Sequence, residues 1–406
     1  MYVKNMLLQY SCNIGIFIIG GKRTPFCNYG GPLRELPACH AFAAAAKDAI
    51  SSSKADPTLV DQTVVGNVLY LSQCDGGKTP RYCGIYSHVP IEKPALGVNK
   101  ACGTGIQAII TGAVDLLVGT SNIILTGGTE IMSSLPMLVR NTRFGTTLGS
   151  FNNLEDHIHG GFVDSQSGLS LARIAEEIAK KYQIKREDVD EFALSSLLKW
   201  KAAEASGAFA DEITSLTVTQ KKKEIVVEKD QLSKVNLDID HLKQLSTLSE
   251  DGTVVTSGNS SAPADGAAAL LLASEEAVRS QDLKPLARIA GWSCVGVDPV
   301  DTGMGAVAAI RKLLARQEIR VEDVDLFEIN ETFGAQVLAT TKELNIDLST
   351  VNVNGGALAM GNPIAATGVK MAISVIYEMR RRNAKRAIAA SSCGGGQGVA
   401  ILLEKL

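Results

Sequence analysis

A cysteine at the start of a long apolar run is the first residue in this 406-residue chain with clear chemical potential. It stands in Asn99-Lys100-Ala101-Cys102-Gly103-Thr104-Gly105-Ile106-Gln107, between a strand-side turn and two glycines. Unpaired N–H groups at a helix start, together with the helix dipole, favour a thiolate there, so Cys102 reads as a nucleophile. A small thiol buried at a tight turn fits the same spacing. Three glycine-bearing or strand-end loops of the second half join it. Phe327-Glu328-Ile329-Asn330-Glu331-Thr332-Phe333 places Asn330 at a strand end. The stretch from Asn354 to Pro363 brings Asn362 to the start of a helix, and Ser391-Ser392-Cys393-Gly394-Gly395-Gly396 sits between two strands. Loops at the strand ends of an α/β sheet are where sites are usually assembled. His157 and His159, beside Asp156, offer a two-ligand pattern on a polar loop, which is more simply a solvated face, so no metal is expected.

Strands and helices must alternate to position these loops. Ile14–Ile19, Val60–Val65 and Ile123–Leu125 read as strands, and Gly105–Val118 as a buried helix. The order returns downstream with strand Val324–Ile329, helix Ile364–Arg381 and strand Arg386–Ala390. This is the pattern of an α/β protein built from two similar halves. The halves are expected at residues 1–275 and 276–406. The first carries a more polar insertion at about 125–250, with helices at Leu171–Tyr182 and Val189–Ala205, expected to lie over the first half. Lys221-Lys222-Lys223 within it reads as a solvated face.

Composition narrows the function classes. Lys+Arg 40 against Asp+Glu 43 leaves a net charge of −3, without the basic excess typical of nucleic-acid binders. No apolar run approaches the ~18 residues needed to span a bilayer, so a soluble protein is expected. The 8 cysteines form no C-x-x-C pair, which argues against a disulfide scaffold and for a reducing compartment. Residues 1–13 carry one lysine, no arginine and no acid; an organelle-targeting segment and a disordered start both fit. No histidine follows His241.

Lys22-Arg23-Thr24-Pro25-Phe26, Gly127-Gly128-Thr129-Glu130-Ile131-Met132-Ser133, Arg140-Asn141-Thr142-Arg143-Phe144-Gly145 and Ala264-Asp265-Gly266-Ala267 complete a set of ordered motifs. Together with the four loops, they make the chain, from about Gly15 to Leu403, resemble the thiolase family, and within it the mitochondrial 3-ketoacyl-CoA thiolases. The resemblance implies duplicated βαβαβαββ halves, each five-stranded, in a five-layer α-β-α-β-α arrangement with an inserted loop domain. It also implies cleavage of a 3-ketoacyl-CoA by CoA, or the reverse Claisen condensation, through an acyl-thioester on Cys102. Asn330 matches the asparagine that orients an oxyanion-hole water. Asn362 stands where the family keeps a histidine, because the chain reads G-N-P rather than G-H-P. The family's second cysteine falls at Ser392, with Cys393 one place late and, along a strand, on the opposite face unless the glycine turn shifts locally. Ser261 matches a serine that contacts pantetheine, and Lys229 or Lys234 could supply charge near the nucleotide phosphate. The implied partners are CoA and acyl-CoA thioesters as substrates, no separate cofactor, and a second copy in a homodimer or homotetramer. The implied compartment is the mitochondrial matrix, with cytoplasm or peroxisome as alternatives. Two readings follow: a thiolase of fatty-acid β-oxidation, or a catalytically impaired thiolase-like protein that binds acyl-CoA or partners an active thiolase.

Overall fold

Alternating strand and helix are built twice in this chain, and the second copy is the less complete. The computed structural model describes residues 15–72, 75–232 and 237–406; the segment 1–13 and Lys234, singled out from the sequence, lie outside the described residues. The first half runs β1 (Ile16–Arg23), α1 (Ala38–Ser53), β2 (Gln62–Gly66), α2 (Thr79–Tyr86), β3 (Ala95–Val98), α3 (Thr104–Leu117), β4 (Ile123–Ile131) and, after the insertion, β5 (Ala264–Ser274). The insertion carries α4 (Leu171–Lys181), α5 (Arg186–Ala205) and a hairpin of Leu216–Gln220 with Lys223–Val227. The second half runs β6 (Ala287–Gly296), α6 (Gly305–Gln317), β7 (Leu326–Ile329), α7 (Gly334–Leu344), α8 (Ile364–Arg382), β8 (Arg386–Cys393) and β9 (Gln397–Glu404).

The strands lie in the order β7-β8-β9-β6-β1-β5-β4-β2-β3. Phe17 and Ile18 of β1 pair with Arg288 and Ala287 of β6, so the sheets of the two halves are continuous. The second half has four strands where five were expected. Its fifth is reduced to one parallel bridge, Val351 to Phe327. The next residue, Asn352, turns into the left-handed region at φ 45°. Its side chain completes the ladder instead: Oδ1 accepts from the Ile329 N–H at 2.8 Å, and Nδ2 donates to the Ile329 carbonyl at 2.9 Å. A side-chain amide thus satisfies the backbone groups that a further strand would have paired.

Both faces of this sheet are covered, and the strands show it by period-two alternation. In β9, Val399, Ile401 and Leu403 face the core shared with α3 and α8, while Ala400 and Leu402 join the opposite core under α6 and α7. Helices α3 and α8 touch strands of both halves, α1 and α2 cover the first half's outer face, and α6 and α7 cover the second's. The result is the five-layer α-β-α-β-α order. Val369, Met371, Ile373, Val375, Ile376 and Met379 of α8 are all buried. Each such side chain contributes about 1.5–3 kcal/mol, so α8 is an anchored element. The two central helices meet at glycines. A Cβ on Gly105 would lie 2.7 Å from the Ala365 carbonyl, and one on Gly368 would lie 2.8 Å from the Ile106 nitrogen. Only bare backbones allow the starts of α3 and α8 to come this close.

The insertion does not lie mainly over the first half. Ile174, Ala175 and Ile178 form the buried stripe of α4, and Val189, Phe192 and Ala193 that of α5. Both stripes close on α7 and its neighbours in the second half, because that outer face offers the complementary apolar surface. The hairpin does follow the expectation, placing Leu216, Val218 and Val227 in the first half's outer core, and Ile158 packs against Leu69 and Met132. The insertion is tied back to β1 by Arg23, which is fully buried. Its guanidinium bonds Asp230 at 2.6 and 2.8 Å and Glu212 at 2.8 Å. Removing one partner of such a buried group typically costs 3–5 kcal/mol. None of the described helices is long and apolar enough to cross a membrane.

Candidate active site

Cys102 stands on a tight turn two residues before α3. The Gly103 and Thr104 N–H groups each donate at 3.0 Å, to the carbonyls of Lys100 and Ala101. The Lys100 N–H donates to Thr104 Oγ1 at 2.7 Å and the Ala101 N–H to Asn99 Oδ1 at 3.1 Å, closing the turn with side chains. Ala101 takes φ 45°, a left-handed conformation that costs an alanine roughly 1–2 kcal/mol and persists because these bonds over-determine it. Burial pushes the Cys102 thiol above its ordinary pKa, and the N–H groups of Gly394 and of Cys102 itself pull only partly in the other direction. On its own, then, the sulfur keeps its proton.

A cavity of about 270 Å³ opens on Cys102; Ser261, Phe333, Asn362, Ile364 and His159 are among its lining residues. Its shape depends on one stitched loop. Ser260 bridges to Phe333 and Pro263 to Asn362, so the stretch around Ser261 is held between two second-half loops. The Ser261 N–H and hydroxyl both donate to the Thr332 carbonyl, at 3.0 and 3.3 Å. Asn362, two residues before α8, is buried; its N–H donates to the Ala262 carbonyl at 2.9 Å. Its Oδ1 accepts from the Thr367 hydroxyl at 2.7 Å. A neutral amide in this place can orient a polar group but cannot take a proton.

Ser392 and Cys393 part company at the end of β8. The register runs without a bulge, Ser391 opposite Val399, Ser392 opposite Gly398 and Cys393 opposite Gln397, so neighbours point to opposite faces. The Ser392 hydroxyl donates to the Gly303 carbonyl at 2.7 Å and accepts from the Ala306 N–H at 2.9 Å. It therefore caps the start of α6 and reaches Cys102 only through a narrow cleft of about 20 Å³ that both residues line. Cys393 is buried under the Cys102 turn and lines neither space. A Cβ on Gly103 would sit 2.4 Å from its sulfur, and burial raises its pKa strongly.

Asn330 approaches from behind. Its Nδ2 donates to Thr332 Oγ1 at 3.4 Å and to Ser391 Oγ at 3.5 Å, and its buried Oδ1 has no partner among the described residues. Ser391, which the sequence reading passed over, donates to the Cys102 carbonyl at 3.1 Å. It links the Cys102 backbone to Asn330; its position two residues before Cys393 on a strand, and so on the same face, was the available signal. Glu130, part of the Gly127–Ser133 motif, is a strut. Its carboxylate accepts from Asn67 at 2.9 Å, from the Val68 and Leu69 N–H groups at 3.0 Å, and from the Ala365 N–H of α8 at 3.4 Å. Burial outweighs these donors and raises its pKa to about 7.

The structure thus gathers Cys102, Asn362 and Ser261 around one cavity, sets Ser392 in an adjoining cleft and Asn330 behind Ser391, and leaves Cys393 out. Lys229 pairs with Glu204 at 2.7 Å. Among the described residues, no three His, Cys, Asp or Glu side chains come together as a metal site. A thiol opening on a cavity walled largely by apolar groups can attack a carbonyl seated there, provided some group accepts its proton.

Two family models match the chain: the thiolase N-terminal domain over residues 16–276 and the thiolase C-terminal domain over residues 283–405. The chain is 40% identical to the human mitochondrial 3-ketoacyl-CoA thiolase over 390 residues, 96% of this chain and 98% of that protein. It is 36% identical to an acetyl-CoA acetyltransferase of Rhizobium meliloti over 394 residues, covering 97% of this chain and all of the relative. The crystal structure of the human mitochondrial enzyme superposes with a TM-score of 0.94 over 97% of this chain and 99% of its own. A crystal structure of the same human enzyme in complex with CoA superposes at 0.93.

Proposed function

The chain belongs to the thiolase family and is an acyltransferase of it, and on that premise we propose that it cleaves 3-ketoacyl-CoA thioesters with CoA through an acyl group carried on Cys102. The Cys102 sulfur attacks the 3-keto carbon, the bond between C2 and C3 breaks, and C2 takes up a proton to leave as acetyl-CoA. The thiol of a second CoA then attacks the acyl-cysteine, and a CoA thioester shortened by two carbons departs. The observation that carries this reading is the placement of Cys102 on a strained turn at a 270 Å³ cavity shared with Ser261 and Asn362. CoA and acyl-CoA are then substrates, and no further cofactor is required. Fatty-acid β-oxidation in the mitochondrial matrix is the setting we propose, in keeping with a human relative named as a mitochondrial 3-ketoacyl-CoA thiolase; cytoplasm and peroxisome are the alternatives. A homodimer or homotetramer is the assembly proposed.

A second reading has its own support. The Asn362 amide is held by Thr367 and the Ser392 hydroxyl by two backbone groups, so neither is free to move protons. That favours slow turnover, or a protein that binds acyl-CoA or partners an active thiolase. The test is incubation with acetoacetyl-CoA or a longer 3-ketoacyl-CoA plus CoA, with product release and the mass of the Cys102 peptide followed together. Product together with an acylated Cys102 supports the first reading. Acylation without turnover supports the second, and an unmodified Cys102 without product overturns the acyl-thioester route.

A further inference from the structure

The cavity poses a chemical problem that its second-half residues do not solve. Cys102 is held as a thiol by burial, Asn362 is neutral, and Ser392 is engaged by backbone on both sides. Among the described residues lining the cavity, His159 is, apart from the Cys102 thiol, the one side chain whose chemistry includes a nitrogen able to accept a proton. The remaining lining groups are apolar side chains, hydroxyls and the Asn362 amide.

The local fold brings this histidine to the same cavity as Cys102. His159 lies on the short helix His157–Gly161, whose start is capped by Asp156 accepting the Ile158 N–H at 2.9 Å. Ile158 is the anchor: it is buried with Leu69, Met132 and Ile364, and Cys102 and Phe162 pack against that same group. The neighbouring imidazole is exposed at the cavity, where it can return a proton to solvent. Gly160 and Gly161 follow, with open space where a Cβ would stand, so the turn has room to adjust as a substrate enters.

We propose that His159, supplied by the insertion, is the proton acceptor for Cys102, replacing from the first half what the second half lacks at Asn362. This rests on the acyl-transfer reading above. In the first stage the Cys102 thiol gives its proton to the imidazole as the sulfur attacks the 3-keto carbon. The imidazolium returns that proton to C2 as the C2–C3 bond breaks. In the second stage the imidazole takes the proton of the incoming CoA thiol. Once the acyl group has left, it passes that proton to the freed Cys102 thiolate, so the protein ends as it began.

Two measurements on the full chain test the pairing separately from the reaction. Alkylation of Cys102 by iodoacetamide, read by mass spectrometry on its own peptide, reports the thiolate without any substrate. His159→Gln is expected to slow it at least about tenfold, whereas an unchanged rate overturns the proposal. Thiolysis by His159→Ala should fall about 10²–10⁴-fold and recover in part with added imidazole, an effect that a merely structural histidine would not show. Loss without rescue, in a variant with the wild-type melting temperature, counts against the proposal. Alkylation that depends on His159 in a protein without thiolysis sinks the acyl-transfer reading and leaves the pairing standing. Thiolysis in a protein whose Cys102 alkylates alike with and without His159 does the reverse.

Discussion

Helix α3 begins two residues after Cys102, and α8 begins two residues after Asn362. The two helices occupy the same central layer and start from turns pressed together by Gly105 and Gly368. Yet one turn carries a thiol that opens on the cavity while the other carries an amide already bonded to Thr367 and, through its N–H, to Ala262. The difference shows that position and chemistry are held by separate interactions. Buried apolar faces and bare backbone contacts set where each residue stands, and those contacts do not depend on whether the side chain can transfer a proton. A duplicated scaffold can therefore keep its geometry while the proton-handling group arrives from a third place.

The sharpest way to break this comparison is to remove the first turn's sulfur. Cys102→Ala should lower thiolysis by about 10³-fold or more and abolish the acyl adduct in the mass spectrum, with the melting temperature little changed. Installing an imidazole on the second turn works in the opposite direction. Asn362→His should raise kcat roughly 10–100-fold, at the low end for a general base because His159 already contributes. A kcat that stays level would mean that the second turn has no access to the reacting atoms.

Glu130 ties the two halves, and its protonation gives a pH signature. Burial raises its folded-state pKa from an ordinary 4.5 to about 7, so between those pH values the folded protein holds a proton that the unfolded chain releases. Stability from this group is therefore present at low pH and lost as pH rises from about 4.5 to about 7. Urea melts at pH 5 and pH 7.5 should show Glu130→Gln improving relative to wild type by about 1–3 kcal/mol across that interval. A constant difference would remove Glu130 as the titrating strut. The smallest effect belongs to Thr367→Val, which leaves the Asn362 carbonyl oxygen without its donor. A loss of about 1 kcal/mol is expected from thermal melts, with thiolysis within threefold of wild type.

Much of this was legible in the order of residues. Cys102 at a glycine-flanked helix start, the apolar run of α8 and the strand ends bearing Asn330 and Ser392 are local signals, visible within a few residues of sequence. What escaped depends on contacts across long stretches of chain. The reach of His159 to the Cys102 cavity rests on Ile158 finding Leu69 and Ile364. The side on which the insertion lies was set by α7, whose outer face nothing in the insertion's own composition announces. Glu130 carried no pattern of its own, and Ser391 only the strand face it shares with Cys393, because a buried carboxylate or hydroxyl acquires its partners only when the layers close.

Asn352 has one more consequence, for how copies of the molecule could meet. By filling the ladder beside Ile329 it blunts that margin of the sheet, whereas β3 ends the opposite margin with Leu96 and Gly97 exposed. A sheet with a single open margin can be lengthened in one direction only. Joining of two copies through that margin uses up the open side of each. Growth by strand addition then stops at a pair and cannot run on into a fibre.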